Sequence, residues 1–210
     1  MVLGVPPSGP RSMRGGGSKP RRLSAAAALL LCLQGGVALA QDGAREAHER
    51  RHAPHHGGYP VKASHLAKFP AFVTWPDTAF ETSSSPFRLC IGGVDPFGPL
   101  IDRLAQNARV GDHEMMVTRL SSVAKGADCH VLFVSASRGQ TPREMIAAVA
   151  GRPVLTVADD GLDAAGAMIQ FVTLEGRVRF EIRGDAAQAE GLVISSKLLS
   201  LSVTRGTGER

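Results

Sequence analysis

Short apolar runs recur along the second half of this chain, and between them the apolar positions switch to a helical period. The runs RLCIG at Arg88 to Gly92, Glu114 to Leu120, CHVLFVS at Cys129 to Ser135, and Pro153 to Val157 predict four strands. The third is apolar almost without interruption, as a strand covered on both faces must be, which points to parallel pairing in the middle of a sheet. Between the first two runs Phe97, Leu100, Ile101 and Leu104 form a helical stripe. Asp95 and Pro96 offer it an N-cap and a proline at the first helical position. Thr141 predicts the cap of a second helix running through Ile146 and Val149, closed by Gly151. Val61, Leu66, Phe69, Phe72 and Val73 fit a helix face that ends before Trp75-Pro76, with Pro70 interrupting it. Near the C-terminus, Met168 to Leu174 and Arg177 to Arg183 flank Glu175-Gly176, a two-residue turn that predicts an antiparallel hairpin. On its second arm Val178, Phe180 and Ile182 face one way and Arg177, Arg179, Glu181 and Arg183 the other. Ala186 to Ala189 and Ser195 to Leu201 read as short helices. Strand and helix alternating in this way predict an α/β fold: a three-layer sandwich, mainly a parallel sheet with helices on both faces and an antiparallel edge hairpin.

The first forty residues read differently. Arg11, Arg14, Lys19, Arg21 and Arg22 precede an apolar run from Leu23 to Leu33, and Ala38-Leu39-Ala40 has the small-residue pattern of a cleavage site. The run is about eleven residues and a bilayer span needs ~20, so the pattern predicts a cleaved signal peptide over residues 1–40 and not a membrane anchor. Paired arginines are common in any basic leader, Leu31 before Cys32 does not suit lipid attachment, and Met13 is an alternative start. Residues 41–60 are polar, His-rich and broken by Pro54 and Gly57-Gly58, which predicts a disordered linker. One domain over 61–205 and a flexible tail at 206–210 complete the organisation. Export predicts a periplasmic location.

Removing the leader changes the charge picture. The whole chain carries 24 basic and 19 acidic residues, with a net charge of +5. All five basic residues of the leader go and no acidic one does, so the mature chain has equal numbers of each. A nucleic-acid partner, which needs a cationic surplus to neutralise phosphates, is therefore not expected. Two cysteines remain, Cys90 and Cys129, an even pair in an oxidising compartment, and they predict one disulfide. Closing a loop of about 40 residues would contribute about 3 to 4 kcal/mol in the chain-entropy model. Geometry raises an objection: on adjacent parallel strands in simple register the two thiols lie toward opposite strand ends, and a staggered register is needed to join them.

The candidate chemistry is thin. Gly92-Gly93-x-Asp95-Pro96-x-Gly98 sits where a dinucleotide fingerprint would, but lacks the third glycine, and Pro96 removes an amide. Cys129-His130 are neighbours on a predicted strand and so point to opposite faces, which rules out a nucleophile–base pair there. Ser195-Ser196-Lys197 lacks the serine-acylase spacing. His48, His52, His55 and His56 could converge on a metal only in a helix that Pro54 and the glycines oppose. No cofactor, metal or catalytic set is expected. The cationic stripe of Arg177, Arg179 and Arg183 is either a partner-binding surface or the charged edge that keeps a terminal strand from pairing with other chains.

Seven blocks of the chain then carry a family resemblance: KASHLAKFPAFVTWP from Lys62, LCIGGVDPFG from Leu89, CHVLFVS from Cys129, GRPVLTVAD from Gly151, GAMIQF from Gly166, VRFEI from Val178 and GLVISSKLLSL from Gly191. In order and spacing they resemble the YfiR-like family of periplasmic proteins. The resemblance implies a non-enzymatic regulator that binds the periplasmic sensor portion of an inner-membrane signalling protein. For the family's namesake that protein is a diguanylate cyclase, so the resemblance points to control of cyclic-di-GMP and biofilm formation. It also implies a compact α/β domain that forms homodimers, with Cys90 and Cys129 at positions tied to redox control. No cysteine follows Cys129, so a second pair found in the family's namesake is missing, and Pro70 interrupts a helix that relatives usually keep continuous. Two other readings stand beside the regulator: a periplasmic small-molecule-binding module, and an enzyme whose residues meet only in the folded chain.

Overall fold

The computed structural model describes residues 58–204; the stretches expected to be signal peptide and tail, and nearly all of the expected linker, lie outside the described residues. Helix α1 spans Tyr59–Lys68, so Tyr59 and Pro60 belong to the domain rather than to the linker. Pro60 sits in its first turn, where a missing N–H costs nothing. The expected single helix stops at Lys68 and the chain tightens into a 3₁₀ turn over Phe69–Phe72, because Pro70 cannot donate the next helical bond. Strand β1 (Val73–Thr74) follows, then β2 (Phe87–Gly92), helix α2 (Pro99–Gln106), β3 (Arg109–Val110) and β4 (His113–Leu120). After these come β5 (Val131–Val134), α3 (Pro142–Ala148), β6 (Leu155–Ala158), β7 (Ile169–Leu174), β8 (Arg177–Ile182), α4 (Gly184–Ala189), β9 (Val193–Ile194) and α5 (Ser196–Leu199).

The fold is mixed α/β around a seven-stranded sheet of order β3-β4-β2-β5-β6-β7-β8, parallel from β4 through β7 and antiparallel at both ends. Strands β1 and β9 form a separate antiparallel pair. The predicted hairpin is present: Leu174 pairs with Arg177, and Glu175 and Gly176 both have positive φ, as a tight primed turn requires. The side-chain alternation of β2 and β5 divides the core in two. Phe87, Leu89, Ile91, Val131 and Phe133 belong to one cluster with Leu66 of α1 and Ile101 of α2, whereas Cys90, Leu132 and Val134 belong to another with Met145 and Ile146 of α3. Thr141 caps α3 as expected, accepting from Glu144 N–H while the Glu144 carboxylate accepts from Thr141 N–H.

Helix α2 starts later than the sequence suggests. Asp95 does not cap it; Oδ1 accepts from the N–H groups of Phe97 and Gly98 at 2.7 and 3.2 Å, which makes a closed turn. The chain then passes through Gly98 at φ +52°, a conformation that suits glycine, and the helix begins at Pro99 in place of Pro96.

Candidate functional site

The expected bridge is formed: Cys90 and Cys129 are bonded with their Cα atoms 5.8 Å apart. The register between β2 and β5 is the simple one, Leu89 opposite Val131 and Cys90 opposite Leu132. The bridge escapes the geometric objection because Cys129 precedes β5 instead of lying in it, and the chain bends at His130 before entering the strand. Both cysteines are buried.

Neighbouring His130 is fully engaged. Its Nδ1 accepts from Arg88 N–H at 2.9 Å, which leaves the proton on Nε2 to be donated to Ala79 O at 3.0 Å. Its ring stacks between Phe80 and Phe87, at 4.7 and 4.8 Å, and Phe80 stacks in turn on His113 at 3.9 Å. Burial pushes the His130 imidazole below its ordinary pKa, so the neutral ring is the one this column holds. Neither ring nitrogen is left to act as a base. Ser195 is likewise used structurally, accepting from Leu198 N–H at the start of α5.

The glycine-rich turn after β2 is filled by the protein itself. The Asp95 carboxylate occupies the amides that a phosphate would need, and Arg119 neutralises it, donating to Asp95 at 2.7 Å and to both oxygens of Asp102 at 2.9 and 2.7 Å. At Gly93, φ is +91° and a β-carbon would lie 2.7 Å from Ala136 O, so backbone closes on backbone where a nucleotide would enter. The chain has put its own carboxylate where the anion would sit. Among the described residues, no group of three or more His, Cys, Asp or Glu side chains is placed to hold a metal ion. The linker histidines lie outside those residues.

The feature that sequence reasoning missed is a groove of about 680 Å³ between α1, β8 and the segment after α5. Its floor is apolar, with Phe69, Phe72, Phe180 and Leu198 prominent, and Val61 and Leu201 at its margin are 45% and 58% exposed. His65 lies in it, stacked on Phe69 and edge-on to Phe180. Burial, then the nearby charges of Lys68 and Arg179, hold the His65 pKa below its ordinary value, so the ring belongs to the apolar floor at neutral pH. Lys68 and Arg179 also line the groove, no acidic residue does, and neither cation is ion-paired among the described residues. Helix α1 lies more than a hundred residues before the other two segments in sequence, and only the antiparallel return of β8 and the chain's path after α5 bring them together. The arginines of the predicted stripe separate accordingly. Arg179 lines the groove, Arg177 is exposed at the start of β8, and Arg183 donates through Nε to Ala167 O at 2.8 Å, tying the strand end to the loop before β7.

No helix among the described residues is long and apolar enough to cross a membrane. No curated protein is significantly similar to the chain. The model of the YfiR/HmsC-like family, known as periplasmic regulators and not as enzymes, matches residues 59–203, which is the described domain almost from end to end. Matched over well more than half its length, the chain belongs to the YfiR/HmsC-like family.

Proposed function

We propose that this protein is a periplasmic regulator that restrains an inner-membrane signalling protein, a diguanylate cyclase, by docking the cyclase's sensor portion on the face that carries the groove. The observation that carries the reading is an apolar groove with exposed apolar margins, lined by two cations, Lys68 and Arg179, that no ion pair engages among the described residues. Buried apolar anchors supply most of the affinity of a protein interface, and a charged rim supplies orientation and speed of encounter. Arg177 and Arg179 belong to that rim, so the arginine stripe, Arg183 excepted, is read as partner surface and not only as a guard on the sheet edge. The pair Cys90–Cys129 holds strand β2 against the entrance to β5, and its role here is to keep the domain rigid.

The test is capture from membranes with the tagged mature protein, followed by identification of what is captured and measurement of cellular cyclic-di-GMP. Wild type is expected to recover a membrane diguanylate cyclase and to lower cyclic-di-GMP. The Arg179→Glu and Leu201→Asp variants, both at exposed positions, are expected to lose capture and leave cyclic-di-GMP high. Recovery of no cyclase, or equal capture by the variants, overturns the reading. The groove's volume falls in the range of small-molecule sites, which favours the second reading of a ligand-binding module enough to ask what ligand it fits.

A further inference from the structure

We propose that the groove between α1, β8 and residues 198–203 binds a free fatty acid, its hydrocarbon tail on the phenylalanine and leucine floor and its carboxylate held by Lys68 and Arg179. Binding as such stands on the groove alone; its regulatory consequence, release of the partner, rests on the docking reading above.

Three observations converge on this chemistry. The lining is apolar along its length, with three phenylalanines and Val61, Leu198 and Leu201 among its residues, so an unbranched hydrocarbon is better matched than a polar metabolite. The charge is of one sign: Lys68 and Arg179 both bear on His65, and no carboxylate of the lining answers them. An anion would relieve that repulsion, and a cation would add to it. The polar groups are few and sit beside an apolar surface, which is the arrangement that orients a one-headed amphiphile. At about 680 Å³ the groove is large enough for a chain of medium length, and its open side lets chains of several lengths in. His65 does not compete as an anion ligand at neutral pH, because its environment keeps it uncharged.

The experiment is calorimetric titration of the mature protein with monomeric dodecanoate, compared with octanoate and decanoate, with dodecan-1-ol, and with dodecyltrimethylammonium. Saturable 1:1 binding of dodecanoate is expected, strengthening by about two- to fourfold for each methylene added to the chain, the upper figure corresponding to full burial. Dodecan-1-ol should bind about tenfold more weakly and dodecyltrimethylammonium not measurably, since two charge-assisted contacts are lost or reversed. The Lys68→Ala/Arg179→Ala double variant should bring dodecanoate down to the level of the alcohol, and Leu201→Asp should abolish binding of the tail while thermal unfolding stays as in wild type. Equal binding of acid and alcohol, absence of a chain-length trend, unsaturable uptake, or binding to phosphatidylglycerol vesicles without binding of monomeric dodecanoate would each overturn the proposal. Added dodecanoate should also release captured cyclase. Failure of capture before any fatty acid is added sinks the docking reading, whereas failure of the titration sinks this one.

Discussion

Replacing Cys90 and Cys129 together by alanine cuts the one covalent crosslink of the domain, and its cost follows from the 39-residue separation it spans. In the chain-entropy model a loop of that size contributes about 4 kcal/mol at 25 °C, through the freedom it denies the unfolded chain. For a domain of this size that corresponds to a fall in Tm of about 10 °C. Alanine also removes two buried sulfur atoms, which adds about 1 kcal/mol for the space left behind. Reducing the wild type keeps the sulfurs and isolates the entropic part, so the reduced protein should melt slightly above the double variant. The two single variants should each lose nearly as much as the double, because either breaks the same bond. The assay is thermal unfolding by circular dichroism, with free thiols counted before each run. A fall of less than about 3 °C, or single-variant losses that add up to the double, would show that the bridge does not restrain the unfolded chain as argued.

Two further outcomes follow from buried polar groups. Lys62 of α1 donates to Asp159, just past β6, at 2.6 Å, and Tyr59 donates to the other oxygen at 3.1 Å, with both charged side chains about one-tenth exposed. Lys62→Met should cost about 3 to 5 kcal/mol in urea unfolding by leaving Asp159 unpaired, and Lys62→Met/Asp159→Leu should regain most of it; a double variant no better than the single refutes this. His65 and His130 both have folded pKa values below the ordinary 6.5, so an unfolding chain takes up protons as pH drops past that value. Their contribution is complete above about pH 6.5 and lost as pH falls toward their folded values, so Tm should drop between pH 7.5 and 5, less steeply in His65→Phe. A flat or rising Tm over that window contradicts the assignment.

The strands were legible where local pattern and global role agree. CHVLFVS announces a covered strand, Glu175-Gly176 announces its turn, and Thr141 announces the cap of its helix; each needs only its own neighbours to be right. The start of α2 was misread because Asp95 has two local options, cap or turn, and the choice went to the turn through Gly98. The bridge was legible as a pair but not as a geometry, since only the bend at His130 lets Cys129 reach back to β2. Phe80 shows the limit most plainly: its place between His113 and His130 is set by a loop with no periodicity to read. The groove fails for the same reason on a larger scale, its walls coming from α1, β8 and residues 198–203, none of which carries a motif for the others.

Strand β2 lies between β4 and β5, both of which follow it in the chain. A chain that has emerged into its folding compartment only through Gly92 therefore presents FRLCIG with both hydrogen-bonding edges open and no native neighbour yet delivered. Such a segment, apolar and free of proline, is prone to pair with copies of itself. Its two proper neighbours require long crossovers before they arrive, so the wait is lengthy on the scale of local folding. Yield of the native protein should accordingly depend on holdase chaperones that shield this hexapeptide until Val131 to Val134 has emerged.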